Sequence, residues 1–138
     1  THDVLRQVSV ERTHAEYPEA IVIAHPECRQ DVVELAHEVC STAGMVKAVE
    51  KYPEASTFII ATEQGMLHQL SKHYPDREFI PADGCIGCRL HCPYMKMTGL
   101  QDVCFALNDE RFEIQLDQET MKNARRALKR MMAVPRDN

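Results

Sequence analysis

Apolar residues follow two rhythms along this chain, and their alternation predicts the fold. Ala20-Ile-Val-Ile-Ala24 is short, β-branched and continuously apolar, as in a strand buried on both faces, and Thr57-Phe-Ile-Ile-Ala61 is a second strong strand. Glu78-Phe-Ile80, just before Pro81, predicts a further strand. Between these runs the period lengthens. Val32, Leu35, Ala36 and Val39 recur at helical spacing. Met45, Ala48, Val49 and Tyr52 form a second stripe closed by Pro53, and Met66, Leu67, Leu70 and Tyr74 a third stopped by Pro75. A very short apolar piece, Val39-Cys40, precedes Ser41-Thr42 where a strand would fall. One more helix is expected over Asp3 to Glu16, ended by Pro18.

Strands alternating with helices of this length imply βαβ units and a parallel sheet. The expected class is α/β, a three-layer α/β/α arrangement with a short parallel sheet in residues 1–82. A cysteine loop and a helical extension are expected over 83–138. In that extension Leu100, Val103, Cys104 and Leu107 predict a helix, with Cys104 packed in the core. Phe112-Glu-Ile-Gln-Leu116 alternates like a half-exposed strand. Asp117 is a good N-cap for a last helix with Met121, Ala124 and Leu128 on its apolar face. Arg125, Arg126, Lys129 and Arg130 lie towards its end, where cations suit the helix dipole.

Parallel sheets bind ligands outside the carboxyl ends of their strands. His25 and Glu27 follow the first strand directly. Ser41-Thr42 and Glu63 hold equivalent places further on. These residues and the cysteine loop are therefore expected at one edge of one sheet.

Composition narrows the partners. The chain has 138 residues, enough for one domain with a real core. Its formal net charge of -5 argues against nucleic acid or an anionic membrane, since both need a basic surface. No apolar run approaches the length of a membrane span. The chain starts at Thr1 rather than Met, and an upstream portion is expected. Of the six cysteines, Cys85, Cys88 and Cys92 fall within eight residues, while Cys28, Cys40 and Cys104 are scattered. Their setting among helix and strand patterns favours a reducing compartment, the cytoplasm, and a metal or cofactor role for the group of three.

Cys85-x2-Cys88-x3-Cys92-Pro93 is the strongest chemical signal, because thiolates on one loop can converge on zinc or on an iron–sulfur cluster. The alternatives are a zinc half-site or unligated thiols, and one C-x2-C pair does not complete a tetrahedral zinc site. His25 and Glu27 can exchange protons with a ligand, or simply tie down their loop. Ser41 and Thr42 open a helix whose free N–H groups suit a carboxylate or phosphate; plain capping is the alternative. Glu63 reads as a loop carboxylate. His91, beside Cys92, is a conceivable ligand. His2, His14, His37, His68 and His73 receive no role.

Four motifs in this order carry a family resemblance: His25-Pro-Glu-Cys28, Ser41-Thr42 with Met45, Ala61-Thr-Glu-x-Gly65, and Cys92-Pro-Tyr-Met-Lys-Met97. From about Tyr17 to the last helix the chain resembles the C-terminal part of quinolinate synthases. The resemblance implies an enzyme of three similar α/β domains around a [4Fe-4S] cluster, one cysteine from each domain, with one iron open as a Lewis acid. The implied reaction condenses iminosuccinate with dihydroxyacetone phosphate to quinolinate on the path to NAD. It implies Cys92 as the cluster ligand, His25 and Glu27 as catalytic and substrate-contacting, and Ser41 and Thr42 as substrate-binding. The other two ligands are expected in upstream domains, so this portion alone is expected to be inactive. Cys40 stands where the family often has glycine, and Thr98 where it usually has asparagine. Some relatives also have a tighter second gap in the cysteine loop, which separates Cys85 and Cys88 from the family pattern. A zinc- or iron–sulfur-binding module and another iron–sulfur hydro-lyase are the competing readings.

Overall fold

The computed structural model describes residues 2–83 and 90–134. They form two compact units, Thr1–Met97 and Thr98–Asn138. The expectations for Cys85 and Cys88 fall on residues 84–89, outside the described residues.

The first unit is built on four parallel strands: β1 (Ile21–Ala24), β2 (Glu38–Val39), β3 (Thr57–Ala61) and β4 (Glu78–Pro81), in spatial order β2-β1-β3-β4. β1 and β3 are central, which explains why Ile21–Ala24 and residues 58–61 are apolar at successive rather than alternate positions. The pleat divides them between two cores. Val22, Ala24, Ile59 and Ala61 pack with Leu5, Val10, Val32 and Leu90 on one face. Ile23, Phe58 and Ile60 pack with Met45, Ala48, Val49, Met66 and Leu70 on the other. Helices α1 (Gln7–Glu16) and α2 (Gln30–Val33) therefore cover the first face, and α3 (Thr42–Glu50) and α4 (Gly65–His73) the second. This is the three-layer α/β/α arrangement expected from the sequence. Full burial of a Val, Ile or Phe contributes about 1.5–3 kcal/mol, and strands this short depend on it. Phe58, Ile59 and Ile60 on β3 are all 0 % exposed.

Four local expectations need correction. The stripe from Val32 to Val39 is not one helix. α2 is a single turn, Leu35 and Ala36 donate backwards in tighter turns to Val32 and Val33, and Val39 lies in β2. Besides the β1–β2 ladder, His37 joins this segment to β1: its N–H donates to the Val22 carbonyl (2.9 Å), and the Val22 N–H donates to its Nδ1 (3.0 Å). Pairing with the sheet edge outweighs helical periodicity here. The expected helix over Asp3 to Glu16 is broken into a 3-10 turn, His2–Val4, and α1, with Arg6 extended between them. The break lets Leu5 drop into the core at 2 % exposure.

The other two corrections are in the second unit, whose helices are α6 (Leu100–Asp109) and α7 (Gln118–Ala133). Phe112 to Leu116 is exposed and forms no strand. Glu110 (φ 52°) and Phe112 (φ 66°) are left-handed, which turns the chain out of any extended path after α6. Cys104 is exposed rather than packed. The Asp117 cap forms as expected, its carboxylate accepting from the Thr120 N–H at 2.9 Å. A short helix that periodicity did not indicate, α5 (Pro93–Met97), follows Cys92.

Candidate functional site at the carboxyl edge of the sheet

The chain leaves β1 for α2 on one face and β3 for α4 on the opposite face. The crevice between the carboxyl ends of β1 and β3 is thus a topological switch point, where open parallel sheets bind ligands. Backbone bonds carry the ladder past the strand ends: His25 N–H donates to Ala61 O (3.1 Å), and Cys40 N–H to Ala24 O (3.0 Å). His25, Glu27, Ser41, Thr42, Thr62 and Glu63 all follow strands at this edge.

His25 and Glu27 are held by their own turn. The Glu27 N–H donates to His25 Nδ1 at 3.3 Å. Since Nδ1 accepts, the neutral ring carries its proton on Nε2, which becomes the donor available to a ligand. The Glu27 side chain is 74 % exposed. Cys28 turns inward, its Sγ 3.2 Å from Ala61 O, and burial pushes its thiol pKa up. Cys28 therefore packs as a small apolar residue, as expected.

One participant escaped sequence reasoning. His2 stacks on His25 with ring centroids 4.4 Å apart and planes 9° from parallel. Its Nδ1 lies 3.2 Å from Glu27 Oε2 and its Nε2 lies 2.9 Å from Thr62 Oγ1. His2, His25 and Glu27 offer potential ligand atoms within 4.8 Å of one another. An imidazole binds metal in its ring plane, and two stacked parallel rings do not aim at one ion. This trio is better described as a hydrogen-bonded group than as a ligand set.

Ser41 caps α3, its Oγ accepting from the Gly44 N–H at 3.3 Å. Ser41 and Thr42 are both exposed. A Cβ on Gly44 would come within 2.9 Å of the Cys40 Cβ, so glycine is required for the first turn to pack against that side chain.

Cys92 is half-buried, and it is followed by α5. Its segment is fastened at three places to the core and to the loop that follows β3. Leu90 is buried in the core, and its carbonyl accepts from the Gln64 N–H at 2.9 Å. Glu63, only 7 % exposed, accepts from the Gly65 N–H at 2.7 Å and draws on the Cys92 N–H. Lys96 Nζ lies 3.1 Å from Glu63 Oε1, close enough for an ion pair although short of an aligned hydrogen bond. A Cβ on Gly65 would sit 2.7 Å from Glu63 Oε2. The Thr-Glu-x-Gly motif thus has a packing reason: glycine leaves room for the carboxylate to fold back onto its own loop.

Burial alone raises the Glu63 pKa, but the Gly65 N–H, Lys96 and the Cys92 N–H outweigh it, and the net shift is downward. A carboxylate lowered on folding stabilises above its unfolded pKa, and loses that contribution as pH falls through the folded value. Glu63→Gln is expected to cost about 1–2 kcal/mol near neutral pH, mainly because the bonds from the buried backbone donors lose their charged acceptor. The Lys96 share is small because that side chain is 46 % exposed. Urea unfolding of both proteins checks this, with the gap narrowing in acid. An unchanged midpoint at neutral pH would contradict the clamp.

The edge therefore combines a histidine donor, an exposed carboxylate, a helix start and a tethered thiol, on a parallel α/β sheet. That defines the class: a parallel α/β domain with polar and ionisable side chains gathered at the carboxyl edge of its sheet. The family described as "NadA: Quinolinate synthetase A protein" matches residues 1–133. The quinolinate synthase of Geobacter metallireducens is 44 % identical over 137 residues, 99 % of this chain and 43 % of that protein. That of Thermodesulfovibrio yellowstonii is 36 % identical over 134 residues, 97 % of this chain and 43 % of that protein. That of Thermotoga maritima is 40 % identical over 123 residues, 89 % of this chain and 39 % of that protein. The chain belongs to the quinolinate synthetase A family, and it spans less than half the length of these curated relatives.

Proposed function

We propose that this chain is the C-terminal portion of a quinolinate synthase that condenses iminosuccinate with dihydroxyacetone phosphate to quinolinate, phosphate and water in the cytoplasm. In this reading Cys92 is one of three cysteine ligands to a [4Fe-4S] cluster, and upstream domains supply the others. When bound, the cluster supplies an iron without a protein ligand, a Lewis acid for substrate oxygen or nitrogen. The observation that carries the reading is the placement of the His25–Glu27 turn, the Ser41-Thr42 helix start and the Cys92 segment clamped by Glu63 along the same carboxyl edge of the sheet.

The donor chemistry fits. A half-buried thiol on a tethered loop suits a soft iron–sulfur ligand, and one thiol alone cannot complete such a site. The side chains around Cys92 support a site shared with other parts of the protein. Tyr94, Met95 and Met97 are 80 %, 60 % and 76 % exposed, and apolar exposure on that scale marks a surface meant to be covered. In the second unit Leu100, Leu107 and Met132 are exposed as well. The remaining domains of the same protein are the proposed cover.

His25 Nε2–H donates to a substrate oxygen, and the exposed Glu27 carboxylate accepts a proton as carbon–carbon or carbon–nitrogen bonds form. Ser41, Thr42 and the first N–H groups of α3 hold a carboxylate or phosphate. No helix among the described residues is long and apolar enough to cross a membrane.

Anaerobic assay of the whole protein with both substrates tests the reaction. Quinolinate formation that requires both is expected. A protein that dehydrates another hydroxy acid instead, and makes no quinolinate, contradicts the reading.

A further inference from the structure

We propose that Thr62 and His2 form a hydrogen-bond relay that fixes one oxygen of Glu27, making both of them positioning residues for the proton transfer assigned to that carboxylate. The inference rests on the proposed role of Glu27 and extends it to two residues from distant parts of the chain.

The direction of the relay follows from what each atom can do. An ionised carboxylate only accepts, so at the 3.2 Å contact His2 Nδ1 must be the donor to Glu27 Oε2. A neutral imidazole with its proton on Nδ1 has a bare Nε2, which must accept. The atom 2.9 Å away is Thr62 Oγ1, whose hydroxyl proton can rotate to donate. Thr62 is 1 % exposed, so water has little access to replace it. The order is Thr62 O–H to His2 Nε2, then His2 Nδ1–H to Glu27.

The neutral form is favoured. Burial, and then the neighbouring His25, lower the His2 pKa, and they outweigh the raising influence of Glu27. A protonated His2 would donate from both nitrogens and reduce Thr62 to an acceptor. With a neutral ring the tautomer is set by Thr62, a second partner of the kind that fixes histidine orientation elsewhere.

The relay also explains the stacking. His25 lies parallel to His2 at 4.4 Å, and its Nδ1 accepts from the Glu27 N–H. The plane of His25 and one oxygen of Glu27 are both referenced to the same ring. His2 in turn is anchored to the end of β3 through Thr62, across the crevice from the β1 turn. A ligand entering the switch point would meet a donor and an acceptor whose spacing is set by the sheet rather than by a free loop.

Two measurements on the whole protein test this. Nitrogen-15 NMR of histidine-labelled protein reads the tautomer without any turnover. His2 is expected with Nδ1 protonated and Nε2 bare, and that pattern should be lost in Thr62→Val. The opposite tautomer in the unmodified protein overturns the relay. In steady-state assays Thr62→Val is expected to lower kcat about tenfold, the loss of one buried hydrogen bond. KM should change by less than about threefold. Thr62→Ser, which keeps the hydroxyl, should restore kcat with the same iron content. If Ser and Val variants are equally impaired, the hydroxyl is not the operative group and the proposal falls. Wild-type turnover in Glu27→Gln would sink the proton role of Glu27 instead, while the tautomer decides the relay by itself.

Discussion

Glu27→Gln in the whole protein is expected to lower kcat by about a hundredfold to ten-thousandfold, the range for removing a general base. The substitution is close to isosteric, and the His2 Nδ1–H can still donate to the amide oxygen. The side chain is 74 % exposed, so stability should move by no more than about 0.5 kcal/mol. What disappears is the capacity to take up a proton. KM should change much less than kcat, because an amide still fits beside the substrate. Glu27→Asp keeps the carboxylate but withdraws it by one methylene, away from His2. It should recover part of the lost rate. A Gln variant within threefold of the unmodified protein would remove Glu27 from the chemistry and leave it a loop residue.

The large features of the fold are legible in the chain because they rest on local periodicity. β1 and residues 58–61 of β3 are apolar without a break, and Met45, Ala48, Val49, Met66 and Leu70 fall on buried helix faces as their spacing predicts. From these the parallel sheet and its carboxyl edge follow, and with them the neighbourhood of His25, Glu27, Ser41 and Thr42. The misses share a cause. Val39 satisfies a helical stripe and also lies beside β1, and only pairing with Ala24 decides between them. Leu5 interrupts an otherwise helical stretch because the core takes it.

His2, and the partners of Glu63, are not legible in the sequence for a related reason. His2 meets Glu27 across 25 residues and Thr62 across 60, and no spacing in the sequence encodes such contacts. The only available hint was topological: any polar residue able to reach the switch point is a candidate, and Thr62 follows β3 directly. Glu63 stood in the right place, but its partner Lys96 lies on a five-residue helix that carries no periodic signal. Gly65 is part of a sequence motif, and its physical reason is the 2.7 Å approach that a Cβ would make to Glu63.

That clamp gives Cys92 a standing that spacing could not. The Cys92 segment is tied to the end of β3 and the loop after it through Leu90, Glu63 and Lys96. A metal ligand needs such support, because its surroundings set the geometry at which it meets the metal. Serine is nearly the size of cysteine but is a poor ligand for iron in a sulfide cluster. Cys92→Ser should therefore leave the sheet intact and remove the cofactor.

Iron and sulfide content, with the visible absorption of anaerobically purified whole protein, tests this most directly. The unmodified protein should be brown, Cys92→Ser should lose cluster and colour together, and Cys85→Ser and Cys88→Ser should keep both. A colourless, zinc-loaded protein, or a cluster that survives Cys92→Ser and is lost in Cys85→Ser, would contradict the account.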